Sequence, residues 1–540
     1  MKKRIWASFD DYLPPQSAQK LMGKGFANYQ FFDALLRYGH FDEYHFFLTN
    51  HSHQKAFEKA HEALFKEIEM GSRVKLFCRS QLPEAVSTHD YTVFHQTDHI
   101  VHFNATCHFR NQMGSFPVTS FIHSISYPSM MVHLQEMALG GVSSQDAIIC
   151  SSDAGRQVLR KWFEQIYQTR NLVVPSVQME VIPFGFDARE FEGINRGMAR
   201  SQTGLPQHHR IGLCFGRFSE YDKMDLFPLL QAFSMIYRKG APWQLILAGA
   251  AHHPEYVSMV RLWAKALGLE EAVIIKTDLS DTDKAALFKS ADFFISPSDN
   301  LQETFGLTLV EAMAAGLPLI VSDFSGYREI ASPDVALMIP TWWSDLDLFS
   351  TMAFGPLSDE ASLHRAMAQS VCVDIEALAR SMLEFFSHPE RCARMGASAR
   401  RRFEEKYAYP EIINRLEAFW LRLKHDFSPR AIVRGTQPLF PDYFGAFSHY
   451  FTEHIGPDTK VRRTNFAKQL FDANQDYPLF SGMDQVVDRT NIRAIIAYTV
   501  EFRTISEIMG QLGVQSGRVH YQIMWMLKHG LLSFLKGNQP

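Results

Sequence analysis

SPSDNLQETFGLTLVEAMAAGLPLIVSD, running from Ser296 to Asp323, places two carboxylates, Glu303 and Glu311, on either side of a Phe305-Gly306 turn. The apolar run before it, Ala291 to Ile295, reads as a strand, and Glu311-Ala-Met-Ala-Ala-Gly316 reads as a helix. A strand that turns directly into a helix puts that turn at the carboxyl edge of a parallel sheet, where open α/β folds bind ligands. The first N–H groups of a helix lack intrahelical partners and its amino end is electropositive, which suits phosphate. Carboxylates in the same place accept hydrogen bonds from sugar or ribose hydroxyls. The stretch therefore predicts an α/β protein with a site for a phosphorylated, hydroxyl-rich ligand.

Working outward, strands and helices alternate on both sides. Arg4–Phe9 reads as a first strand, Gly23-Lys24-Gly25 as a loop, and Phe26–Tyr38 as an amphipathic helix with apolar residues near helical spacing. Further short strands are expected over 44–48, 74–77, 91–94, 118–123 and 147–150. A second series is expected over 211–215, 244–248, 272–275, 292–295 and 317–321. Such alternation predicts two doubly wound, Rossmann-like parallel sheets. Between them, MEVIPFGFDAREF (Met179–Phe191) is punctuated by Pro183 and Gly185 and reads as a crossing.

After Phe427 the pattern changes. Residues 428–445 are rich in Pro and Gly and read as a linker. Beyond it, Thr504-Ile-Ser-Glu507 is a capping-box start, Gly513 a turn, and Ile508, Leu512, Val514, Val519, Ile523, Met526 and Leu527 the apolar positions of two helices. Lys528-His-Gly-Leu-Leu532 then resembles the exit of a winged helix-turn-helix into its wing. Domains are thus expected at 1–185, 186–427 and 428–540, with 408–427 packing back on the first.

Composition narrows the class. A 540-residue chain that is 46% hydrophobic and 21% charged is globular and exceeds one ordinary core. A net charge of −4 implies no general attraction to nucleic acid or anionic membrane. The 430–540 segment carries 12 Lys and Arg against 9 Asp and Glu, too small an excess to make DNA its partner. Its helix Arg518–Leu527 is apolar and aromatic, which points instead to protein docking or dimerisation. Six cysteines without CxxC spacing argue against a disulfide scaffold or zinc ribbon and for a reducing compartment. The opening MKKRIWASFDDYLPP has no apolar core of a signal peptide, and no uncharged run is long enough for a bilayer span. The expected location is cytoplasmic, or peripheral at a membrane.

The residues around Glu303 and Glu311 resemble the signature of the retaining GT-B glycosyltransferases of family 4. That signature has two glutamates with seven residues between them, Phe-Gly after the first and Ala-Gly-x-Pro after the second. Here it reads Glu303, Phe305, Gly306, Glu311, Ala315, Gly316, Pro318 and Asp323. Met179–Phe191 is similar to the crossing that the family writes IPNGVD, with Phe184 in place of Asn. Val373–Tyr407 resembles its closing helices, and Trp342–Cys372 interrupts the pattern as an insertion. Arg400-Arg401-Arg402 in those helices reads as a solvated face.

The resemblance implies a GT-B pair of domains facing a cleft and transfer of a sugar from a nucleotide-diphosphate sugar with retention of configuration. Arg217 and Lys223, in the strand-to-helix stretch Cys214–Phe233 with Gly216 before them, are similar to the pair that brackets the diphosphate; Met224 stands where the family has Gly. A guanidinium fork beside an ammonium suits two adjacent phosphates. By resemblance Glu311 holds the ribose hydroxyls and Glu303 a hydroxyl of the donor sugar, with backbone at Phe305, Gly306 and Leu307 assisting. Gly23 and Gly25 let the first loop approach the diphosphate, Lys276 to Leu279 faces the base, and His123 faces the sugar, ahead of His95, His99 and His102. Asp153 reads as a helix cap. No cofactor or metal is expected, and the one DxD, Asp345-Leu-Asp347, stands outside a strand-end context.

The donor would be a UDP-, GDP- or ADP-linked sugar; a glycan, peptide, lipid or metabolite remains open as acceptor, and the loops Phe103–Met113 and Ser124–Gly140 resemble nothing assigned. The other readings are a GT-B epimerase acting on the free donor, a glycoside phosphorylase, and a regulatory or nucleic-acid-binding protein led by the last domain.

Overall fold

A sheet covered on both faces needs strands that are apolar throughout rather than alternating. In the computed structural model, IWAS, VTSF, AIIC, FFIS and LIVS are such strands, every residue buried. The structure describes residues 3–534 except 15–22, 99–101, 140, 172–176, 252, 344–356, 429–445, 447, 451–454, 481–482, 484–485 and 514–515. The linker, the Asp345–Asp347 pair, His99 and Val514 therefore lie outside the described residues.

The protein has two parallel-sheet, Rossmann-like α/β domains and a helical C-terminal region. The first sheet holds β1 (Ile5–Ser8), β2 (Glu43–Leu48), β3 (Val74–Cys78), β4 (Tyr91–Gln96), β5 (Val118–Phe121), β6 (Ala147–Cys150) and β7 (Gln178–Val181), in the order β3-β2-β1-β4-β5-β6-β7. The second holds β8 (Arg210–Phe215), β9 (Trp243–Ala248), β10 (Val273–Lys276), β11 (Phe293–Ser296), β12 (Leu319–Ser322) and β13 (Ala336–Ile339), in the order β10-β9-β8-β11-β12-β13. The ladders are parallel, with β8 on β9 in register from Arg210↔Trp243 to Phe215↔Ala248 and β11 between β8 and β12. The eleven expected strands occur within a residue or two of their read bounds, the ordinary uncertainty of strand ends. β7 and β13 were not expected. All but the first residue of the half-buried QMEV of β7 falls inside the stretch read as a crossing, and an edge strand needs no fully apolar run.

The helices used below are α1 (Gly23–Tyr38), α2 (Asp153–Arg170), α3 (Asp281–Ser290), α4 (Leu307–Ala314), α5 (Glu360–Ala368), α6 (Pro389–Lys406), α7 (Tyr409–Asp426), α8 (Ile505–Leu512) and α9 (Ser516–Lys528). α7 lies on the first sheet: the buried Trp420 indole donates to Thr119 Oγ1 at 3.1 Å and packs against Trp6 and His95. Of the three arginines of α6, Arg401 is exposed and Arg400 and Arg402 are half-buried. Arg402 Nε donates to Ile330 O at 2.8 Å and Arg400 to Ala314 O, so cations meet carbonyls at the carboxyl ends of neighbouring helices.

The unassigned stretches of the first domain are largely helical, not loops. Phe103–Met113 and Ser129–Leu139 are helices, and the first buries Phe103, Thr106, Cys107 and Arg110 along one face. A buried arginine disguised that stripe. Arg110 makes two 2.7 Å bonds to the carboxylate of Asp146, and both side chains are fully buried.

The chain divides into two compact units, one of Met1–Tyr44, Ala63–Arg73 and His89–Pro438, the other of His45–Glu62, Val74–Thr88 and Leu439–Pro540. Within the C-terminal part, β16 (Lys460–Arg463) pairs antiparallel with β17 (Arg503–Thr504) and β18 (Leu532–Phe534), after the short pair β14 (Thr341–Trp342) and β15 (Cys372–Val373) earlier in the chain. Thr504 and Glu507 form the expected capping box, and Gly513 ends α8 at φ +62°. Val519, Ile523, Trp525 and Met526 of α9 are core residues of this unit, so the apolar helix read as a docking face packs on its own neighbours. Among the described residues, no helix is long and apolar enough to cross a membrane.

Candidate active site

A cavity of about 320 Å³ lies at the carboxyl ends of β8 to β11, walled from the first domain by Phe26, Ala27, His123 and Ser124 and by Phe184 of the crossing. It sits where the second sheet's strand order reverses, between β8 and β11. At such a switch point the connections leave in opposite directions and open a crevice.

The loop after β8 brings the positive charge. It approaches the loop after β9 so closely that a Cβ on Gly249, at φ +142°, would stand 1.8 Å from Gly216 O; only glycine fits. Gly216 lines the cavity while its N–H donates to Ala248 O at 2.9 Å. From this anchored loop Lys223 Nζ reaches Glu303 Oε2 at 2.5 Å, and Arg217 pairs with Asp222 at 3.1 Å. Burial alone would push the Glu303 carboxyl up; the charge and hydrogen bond of Lys223, helped by the Phe305 N–H, outweigh it and hold the group below the usual glutamate value.

The loop after β11 brings the acids. Gly306 caps α4 at φ +106°, and a Cβ there would meet the Tyr327 ring at 2.5 Å, so the turn into the helix requires glycine. Leu307, Thr308 and Glu311 of α4 face the cavity. Glu311 Oε1 accepts from Lys284 Nζ of α3 at 2.8 Å. Among the described residues, Glu311 Oε2, Thr308 Oγ1 and Asp222 Oδ1 are buried without a hydrogen-bond partner.

The first domain meets this edge at three points. His123 Nε2 bonds Thr97 O at 2.8 Å, and the ring stacks on Phe184 at 5.2 Å and 9°. Thr304 Oγ1 donates to His123 O at 3.2 Å, and Ser152 Oγ to Thr304 O at 2.6 Å. Glu329 accepts the Asp153 and Ala154 N–H groups at 2.8 and 3.0 Å, an anion at the electropositive start of α2. The cap of α2 is thus Ser152, not Asp153, which turns its carboxylate to Arg156 and Gln157 within the helix.

Part of the insertion also reaches the site. From α5, His364 Nε2 bonds Ser126 O at 3.2 Å and its ring stacks on Tyr127 at 4.4 Å. Arg365 Nε donates to Glu220 at 2.9 Å, and Gln369, just past the helix, to Asp225 at 3.1 Å. The inserted helix therefore grips both the stretch after His123 and the loop of Lys223.

Of the residues singled out from sequence, His123, Gly216, Arg217, Lys223, Leu279, Glu303, Phe305, Gly306, Leu307 and Glu311 line the one cavity. Lys276 does not: its ammonium donates to Thr203 O at 3.1 Å. Gly23 and Gly25 stand in the first turn of α1 rather than in a loop, and the cavity receives Phe26 and Ala27 from that helix. The helix starts early because Ala27, Phe31, Ala34 and Leu35 bury one face of it. His95 is a core residue bonded to Thr119, held neutral by burial, its pKa near 3; His102 packs on Phe9. Sequence reasoning missed Lys284, Asp222, Glu329 and the α5 contacts. A lysine on a polar helix face carries no local signal, and Phe184 in place of Asn reads only as a small departure from the crossing motif.

Comparison with known proteins bears on the fold and on what the chain is similar to. Residues 195–346 match the family Glycosyl transferases group 1. A phosphatidyl-myo-inositol mannosyltransferase of Mycobacterium leprae is 29% identical over 227 residues, 40% of this chain and 58% of that protein. The chain spans about half the length of the curated relatives it matches, 58, 40 and 48% in three of them. Sucrose-phosphate synthase of Thermosynechococcus elongatus superposes with a TM-score of 0.52 at 18% identity, covering 78% of this chain and 99% of its own. Anabaena Alr3699/HepE, solved in complex with UDP, gives 0.53 at 16% identity, with 78% and 99% covered. At these identities the superpositions establish the GT-B fold.

Proposed function

We propose that this protein is a metal-independent, retaining glycosyltransferase that takes a sugar from a nucleotide-diphosphate sugar. One observation carries the reading: Lys223 and Arg217 stand beside the amino end of α4 in a cavity that Glu303 and Glu311 also face. Two cations and a helix start suit a diphosphate, and two carboxylates suit hydroxyls on either side of it. The relatives named as a mannosyltransferase and an alpha-monoglucosyldiacylglycerol synthase, and the UDP bound to a protein of the same fold, support the same ligand class.

In this reading Glu311 binds the ribose and Glu303 a donor-sugar hydroxyl, with Phe305, Gly306 and Leu307 supplying backbone near the phosphates. His123, fixed by Thr97, faces the sugar. The acceptor oxygen attacks C1 on the face from which the diphosphate leaves. The C1–O bond to phosphate breaks, the acceptor proton passes to the departing phosphate oxygen, and Arg217 and Lys223 balance its charge, a preorganised electrostatic contribution. The two helices, capping box and three-stranded sheet of the C-terminal unit support a winged-helix reading of it.

The test is an NMR assay with EDTA present and UDP-, GDP- and ADP-linked sugars. The proposal predicts nucleoside diphosphate together with a transferred or released sugar that keeps its anomeric configuration before mutarotation. An isomerised sugar still on its nucleotide would indicate an epimerase, and sugar phosphate formed only with added phosphate a phosphorylase. Either result, or an inverted product, overturns the proposal.

A further inference from the structure

Lys284 is an unusual lysine for its position. It lies on α3, beyond the base-side strand β10, yet its side chain is only 12% exposed and its ammonium is boxed by aromatic faces, 4.5 Å from the Phe26 ring and 5.8 and 5.9 Å from Phe186 and Phe215. Burial alone would lower its pKa; the charges of Glu311 and Glu190 outweigh that and raise it, so the group is a cation in the working pH range. Glu190 is held in turn by Gln30 of α1, whose side-chain amide donates to it at 2.9 Å.

The partner is where the arrangement becomes informative. Glu311 is 3% exposed, and Lys284 holds only Oε1. Its Oε2 and the nearby Thr308 Oγ1 are buried and unpartnered, although both residues line the cavity. Replacing a buried ion pair by apolar side chains is often neutral or stabilising, and an unpartnered buried carboxylate oxygen is costly. Packing alone gives no reason to keep this pair; a ligand hydroxyl donating to Oε2 does.

We infer that Lys284 is a positioning residue, which fixes one oxygen of Glu311 so that the other receives the ribose diol and the site selects ribonucleoside diphosphates. The inference rests on the reading of Glu311 as the ribose contact. Lys284 also lines the cavity, but its ammonium is turned to Glu311 Oε1, and its role is to set the rotamer of that carboxylate. Phe26 adds a face from the first domain, so the ammonium is held from three sides.

The test compares calorimetric binding of UDP and GDP with their 2′,3′-dideoxy counterparts to the whole protein and to Glu311→Gln, Lys284→Gln and Lys284→Arg. A hydrogen bond to a charged group corresponds to about a 10- to 100-fold preference for the ribonucleotide in the unaltered protein. Lys284→Gln is expected to shrink that preference to about threefold or less while the dideoxy form binds as before, and Lys284→Arg to keep most of it. Lys284→Gln that weakens both forms equally, or leaves the preference intact while Glu311→Gln abolishes it, overturns the role of Lys284 and leaves that of Glu311 standing. No preference in the unaltered protein overturns the ribose assignment and the inference with it. Should Lys284→Gln fail to fold, Lys284→Arg decides: its conserved charge must preserve at least half of the preference on a logarithmic scale, and a smaller remainder counts against the inference.

Discussion

Lys223 reaches Glu303 at 2.5 Å and Lys284 reaches Glu311 at 2.8 Å, but the surroundings of the two pairs differ. The first pair joins two loops, with side chains 11 and 14% exposed and Arg217 alongside. The second joins two helices, α3 and α4, inside an aromatic box. A cation on a loop at the cavity wall can trade its carboxylate for a phosphate. A cation pinned between helices can only hold its carboxylate still. On the proposed reading, the same chemistry gives an exchangeable contact at the diphosphate end and a fixed one at the ribose end.

If that contrast is right, the two acids fail in opposite ways. Glu303→Gln should lower kcat by about 10²- to 10³-fold, the scale of losing one preorganised polar contact, while nucleoside diphosphate binds within about threefold of normal. Glu311→Gln should instead weaken nucleotide by about 10-fold or more and leave kcat at saturating donor nearly unchanged. Steady-state kinetics beside calorimetry separates the two, and identical behaviour of both variants breaks the comparison.

Lys223→Met sharpens the exchangeable side. Diphosphate should weaken by about 10- to 100-fold and the bare nucleoside hardly at all, because a charged hydrogen bond is lost at the phosphate alone. Equal loss for both would place Lys223 elsewhere.

A smaller effect concerns pH. Because Lys223 depresses the Glu303 pKa, that carboxylate adds stability above the unfolded glutamate value near 4.5, and the contribution is lost as pH falls through the lower folded value. Urea unfolding of the ligand-free protein should show this acid-side loss, and Lys223→Met should show less of it. A variant with an unchanged pH slope would assign the depression to another group.

The smallest effect belongs to the insertion. Arg365→Ala removes an exposed pair with Glu220 and the contact of the guanidinium with Tyr221 at 5.3 Å. Such pairs contribute about 1 kcal/mol at most, so KM for the donor should rise less than about fivefold with kcat preserved. A large fall in kcat would instead make α5 part of the catalytic apparatus.

Most of the α/β fold was legible because several of its strands are buried end to end and its turns carry Gly at fixed places, as Gly306 shows. The acids were legible for the same local reason: Glu303 and Glu311 stand on one strand–turn–helix unit. Their lysines were legible only in part. Lys223 follows a strand and a glycine, but Lys284 sits on a short helix with an ordinary polar pattern, and only tertiary packing brings it to Glu311. Gly23 and Gly25 misled because a glycine pair signals a loop, while burial of Ala27, Phe31, Ala34 and Leu35 extends α1 over it. The apolar stripe of α9 misled in the other direction: sequence reports that a face is apolar, not what covers it.

The central claim is a metal-free donor site for a nucleoside diphosphate, and calorimetry with UDP, GDP, ADP and TDP in EDTA tests it most directly. Binding of at least one of them without metal, strengthened by its linked sugar and lost in Lys223→Met, is the predicted result. No binding by any of the four, or binding that appears only when a divalent cation is added, would contradict the account.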